Sequence, residues 1–208
     1  PRFLVAFTPE PSLYVSSSII NRNMKKVAII VIGVIVIIVF WLFGSYNGMV
    51  SSQEEATTSF ANLQTQYQRR ADMMPQLVKI VKAYAKHERE TFEQVTRARA
   101  SVGQIKLDAN DLTPEKLARF QQAQGELSSA LSRLMAVAEN YPELKASENF
   151  KALQVQEEGT ENRISEARSK YNEAVQTYNV GIRRFPANIV AGIFGFHVMP
   201  KLEASPEA

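Results

Sequence analysis

The residue types able to do chemistry fall into three groups along this chain. Arg69, Arg70 and Asp72 crowd one short stretch, and two guanidiniums beside a carboxylate suit recognition of an anionic ligand or partner. They also have a structural use that needs no ligand. Cations complement the C-terminal end of one helix, and an Asp caps the next. Glu161-Asn162-Arg163 form the second group. Asn is a poor helix-interior residue, and a buried Asn on a seam fixes register instead of reacting, so a partly buried Asn162 is expected. The third group is a repeat, Tyr171-Asn172 and Tyr178-Asn179. A spacing of seven puts both pairs on one helix face about two turns apart. Tyrosines placed this way are expected in the core with hydrogen-bonded hydroxyls.

Catalysis is not expected from these groups. With no cysteine, disulfides, thiolate nucleophiles and most structural zinc sites are excluded. The two histidines, His87 and His197, stand far apart and outside any metal-ligand pattern. His87 lies in a charged run, Lys86 to Glu90, that reads as a solvated face. The chain has no Gly-rich phosphate loop, no Ser/His/Asp order and no Glu-x-x-His of di-iron bundles. Neither catalytic residues nor a cofactor or metal is expected.

These groups must be held by helices. Apolar residues recur at alternating spacings of three and four, the seam of a helix bundle. Leu117, Phe120, Gln124, Leu127, Leu131, Leu134, Ala138 and Tyr141 follow it without a slip, and only Gln124 is polar. A first stripe runs from Val50 through Phe60 and Tyr67 to Met74, a second from Leu77 to Ile105, and a last from Ile164 to Phe185. Asp72 with Pro75 predicts a helix boundary after Arg70, Thr113-Pro114-Glu115 a capped start, and Tyr141-Pro142 a stop. The fourth stretch is predicted over about 144–184. Short connections join antiparallel neighbours, so the expected fold is all-α, an N-terminal transmembrane helix followed by an antiparallel up-and-down four-helix bundle.

Val27 to Phe43 contains no charged residue, and Gly44-Ser45-Tyr46 extends the run to Tyr46. A helix of about 20 residues spans about 30 Å, the hydrocarbon thickness of a bilayer. Val27, Ile35 and Phe43 lie along this anchor, with Trp41 and Tyr46 towards its C-terminal end, where aromatics favour the headgroups. Its length and the lack of an Ala-x-Ala site favour an uncleaved anchor over a signal peptide. Lys25 and Lys26 at the other end predict a cytoplasmic N-terminus and an extracytoplasmic bundle. Charge agrees with this division. The pI of about 9.1 comes from residues 1–46, and the remainder is neutral overall, so nucleic acid is not an expected partner. The expected organisation is residues 1–23 as an upstream extension without a stable fold, 24–46 as anchor, 47–186 as bundle, and 187–208 as apolar cap and tail.

Several motifs in order resemble the LemA family of bacterial membrane proteins. They are Gln68-Arg69-Arg70-Ala71-Asp72-Met73-Met74-Pro75, Tyr84-Ala85-Lys86-His87-Glu88, Tyr141-Pro142-Glu143-Leu144-Lys145, Gly159-Thr160-Glu161-Asn162-Arg163-Ile164, Tyr171-Asn172-Glu173-Ala174-Val175, Tyr178-Asn179 and Phe185-Pro186. The resemblance covers about residues 27–196. It departs at Met73-Met74-Pro75-Gln76-Leu77, where the family usually has Leu-Ile-Pro-Asn-Leu. It implies a short N-terminal segment, one transmembrane helix and a helical bundle, and it implies no activity.

The function expected is that of a non-enzymatic scaffold or interaction module in the bacterial inner membrane. Its partners are the bilayer through residues 27–46, an unidentified protein and a second copy of itself. The alternatives are a regulatory or sensory accessory that binds a small ligand or modulates a membrane protease or kinase, and membrane remodelling by self-assembly. A polar pocket around the Tyr/Asn pairs favours the accessory, and a large exposed apolar stripe favours assembly.

Overall fold

The computed structural model describes residues 12–109 and 111–203, with side chains from Met24 onward. Its helices are α1 (Ser12–Tyr84), α2 (Arg89–Gln104), α3 (Pro114–Glu139), α4 (Pro142–Ala146), α5 (Glu148–Arg183) and α6 (Ala187–Phe194). No strand occurs among the described residues. The chain divides into two compact units, Pro1–Asn47 and Gly48–Ala208.

In the first unit, α1 begins at Ser12, within the stretch for which no stable fold was expected. Extending an existing helix costs far less than nucleating one, which accounts for helix upstream of the apolar run. Residues 1–11 lie outside the described part. Val27, Ile35, Trp41, Phe43 and Tyr46 are all exposed. The helix is long and apolar enough to cross a membrane.

The second unit holds two apolar clusters. One gathers Met74, Leu77 and Val81 of α1 with Val95 of α2, Leu127, Leu131 and Leu134 of α3, Leu144 of α4 and Leu153 of α5. The other gathers Phe60, Leu63 and Tyr67 of α1 with Leu117 and Phe120 of α3, and Ile164, Tyr171 and Val175 of α5. Phe60 packs against Tyr171 with ring centroids 5.3 Å apart.

Three boundaries differ from the sequence expectation. Helix α1 does not break at Asp72 but runs through Pro75 to Tyr84. Proline removes the N–H that would pair with the carbonyl four residues back. Here that carbonyl, Ala71 O, accepts instead from Arg99 Nε of α2 at 3.1 Å. Asp72 therefore caps nothing and accepts from Gln68 Nε2 within the same helix at 2.8 Å. The break falls at Ala85–Glu88, inside the stretch read as one continuous helix. The fourth stretch is likewise split at Ser147 into α4 and α5. The α3 start is as expected, with Thr113 Oγ1 accepting from Lys116 N and Pro114 in the first turn.

Candidate functional site

Between the two clusters α1, α3 and α5 each place one polar side chain at the same level. Arg70 follows Tyr67 of one cluster and precedes Ala71 of the other, and its side chain is buried. Its Nη1 pairs with Glu161 Oε1 at 2.7 Å. Its Nη2 donates to Gln124 Oε1 at 2.8 Å and to Gln124 O at 3.1 Å. The guanidinium also sits 5.2 Å from the Tyr67 ring centroid, within cation–π range. Arg70 Nε and Gln124 Nε2 are buried without a protein partner. Burial, with Glu161 nearby, raises the Glu157 carboxyl above the usual range. A buried charge with directional bonds to two other helices penalises any slip among the three, so this cluster sets register.

The Tyr–Asn repeat works on backbone. The segment after α6 returns along α5, and its spacing of three residues against seven on the helix requires extended backbone. Asn179 Nδ2 donates to Met199 O at 2.8 Å while its Oδ1 accepts from Met199 N at 2.9 Å. Asn172 does the same with Leu202, at 3.1 and 2.9 Å. Tyr178 donates to His197 O at 2.9 Å and Tyr171 to Pro200 O at 2.8 Å. Arg168 Nη2 and Gln121 Nε2 reach Glu203 O at 2.6 and 3.2 Å. Seven helical residues rise about 10.5 Å, and three extended residues advance about 9–10 Å. The two repeats therefore keep step, and one Tyr–Asn pair holds each three residues of the segment. Leu202 is buried in the adjoining cluster. Burial pushes the Tyr171 hydroxyl up to about 12 and raises that of Tyr178.

The other sequence candidates scatter. Arg69, Asp72, Asn162 and Arg163 are exposed, which corrects the expectation that Asn162 is a buried registry residue. On α5 the inward turn is taken by Thr160 and Ile164, leaving Asn162 facing away. Phe185, read as the last seam residue, is 82% exposed because α5 ends two residues before it. Residues 196–203 are more than a tail, since they complete one core cluster; the last five residues lie outside the described part. Sequence reasoning missed Arg99, Arg168 and the partnership of Gln124. Only Gln124 carried a signal, as the one polar residue in an apolar stripe. Among the described residues no cluster of acidic or histidine side chains is placed to hold a metal ion.

An all-helical fold among the described residues, with one long apolar helix on its N-terminal side, defines a membrane-associated helical class. Within that class this chain belongs to the LemA family, whose model matches residues 59–208. It is similar to magnetosome protein MamQ 2 of Paramagnetospirillum magneticum, 29% identical over 190 residues, 81% of this chain and 69% of the relative. MamQ of Magnetospirillum gryphiswaldense is 28% identical over 168 residues, 73% of this chain and 62% of that relative. Protein LemA of Metamycoplasma hominis is 24% identical over 174 residues, 83% and 76% of the two chains.

Proposed function

We propose that the chain is a non-enzymatic scaffold or protein-interaction module of the bacterial inner membrane. Residues 27–46 cross the bilayer once, and α1, α2, α3 and α5 form an up-and-down four-helix bundle outside the cytoplasm. One observation carries this reading. The polar side chains most suggestive of chemistry bind the protein's own backbone and helices, so they serve its shape. The Tyr–Asn face is covered by residues 197–203, which favours a scaffold over a ligand-binding accessory. The magnetosome relatives and the exposed apolar run support membrane attachment. The orientation rests on Lys25 and Lys26.

Two measurements test it. Protease added to intact spheroplasts should digest residues beyond Gly48, and protection until lysis refutes the orientation. Single cysteines replacing exposed Arg69 or Arg163 should give discrete cross-linked adducts in membranes, with itself or another protein. A chain that stays monomeric from every exposed position is no scaffold.

A further inference from the structure

Helix α6 is apolar on both sides. Val190 and Ala191 face inward and are buried, whereas Ile189 and Ile193, one turn apart on the other face, are 54% and 70% exposed. Phe185, two residues before the helix, is exposed as well. Apolar side chains on both faces of a helix are stable only when both faces are covered. Gly195, at φ +75°, ends it in the left-handed conformation open to glycine.

The position of α6 identifies what covers the outer side. Arg70 meets Glu161, Tyr67 meets Arg168 and Phe60 meets Tyr171. Moving towards Gly48 along α1 therefore means moving towards Arg183 along α5. At equal rise, Met49 comes level with Ile182, and both are buried. The α5–α6 corner thus stands at the end of the second unit where the chain joins the apolar run. Phe43 precedes Gly48 by only five residues of chain, so connectivity alone keeps this end of the unit within about 18 Å of the end of the apolar run. Charge points the same way. Arg183 and Arg184 are exposed at this corner, and no acidic residue occurs from Ala174 to Leu202.

We propose that this corner beds into the bilayer surface entered by the apolar run, with Phe185, Ile189 and Ile193 below the headgroups. Arg183 and Arg184 pair with anionic phospholipid. The contact adds a second attachment beside the span and restrains the tilt of the bundle. It rests on the reading that residues 27–46 cross the membrane.

The absence of cysteine makes the test clean. Full-length chain with Ile193→Cys carries an environment-sensitive fluorophore and is reconstituted in phosphatidylcholine vesicles with or without phosphatidylglycerol. Lys145→Cys, exposed near the opposite end of α5, is the control. Flotation with the vesicles tests the span by itself. The expected result is a blue-shifted label at Ile193, quenched severalfold more by nitroxide-bearing lipid than the label at Lys145. Ile189→Asn should reduce the quenching, and Arg183→Gln with Arg184→Gln should abolish its dependence on phosphatidylglycerol. A chain that floats while its Ile193 label stays as water-exposed as the control overturns the proposal. So does a label shielded from water that lipid nitroxides fail to quench, since protein then covers the face.

Discussion

Arg70 shows how much a single side chain contributes when three helices converge on it. Its pairing with Glu161 and Gln124 holds α1, α5 and α3 at one level. Arg70→Ala is expected to destabilise by about 3 kcal/mol, because Gln124 loses its partner in a buried setting. Arg70→Met combined with Gln124→Leu should recover most of that in thermal melts, with looser register visible as broadened core resonances. Tyr171 gives a prediction in pH. Its hydroxyl titrates near 12 in the folded chain against 10.0 for a free tyrosine. The folded state therefore holds the proton more tightly, and stability present below pH 10 is lost as pH rises towards 12. Denaturant midpoints measured across that range should fall less steeply in Tyr171→Phe than in wild type.

Among the elements, α1 is instructive because it continues where a proline argues for a stop. Arg99 of α2 supplies Ala71 O with the donor that Pro75 withholds. Arg99→Ala should cost about 1–2 kcal/mol. In a Pro75→Ala background it should cost much less, since the restored N–H then pairs with Ala71 O. Equal costs in the two backgrounds, measured as a double-mutant cycle, would refute the partnership. The extended segment after α6 behaves as another element, although it forms no sheet. Asn179→Ala should weaken it by about 1–3 kcal/mol and speed amide exchange at Met199 before that at Leu202, which Asn172 still holds.

For the whole molecule, the returning segment closes the unit that α1 opens. Leu202 packs into the cluster of Phe60, Phe120 and Tyr171. Deleting the chain after Phe196 removes that side chain and leaves Asn179 and Tyr178 without their carbonyl partners. The truncated protein is expected to melt at a lower temperature by several degrees or more and to expose apolar surface. Unchanged melting would mean that residues 197–203 are an appendage. Truncation should leave membrane flotation intact, because the apolar run belongs to the first unit and the deleted residues to the second.

The sequence by itself determined the helical class and the apolar run, because both follow from local periodicity and hydropathy. The stripe from Leu117 to Ala138 is buried largely as its spacing predicts. The seven-residue Tyr–Asn spacing likewise fixed a shared helix face. Tertiary structure decided what that face holds. A side-chain amide reads a backbone N–H and C=O whatever the residue, so nothing in the letters of Met199 or Leu202 marks them as its partners. Pro75 and Asp72 argued locally for a helix end, and only the arrival of Arg99 from another helix reversed it. Asn162 and Arg70 were equally polar on paper. Which of them turned inward depended on the angular position of each on its helix and on what stood opposite, a Gln124 that periodicity flagged but could not pair.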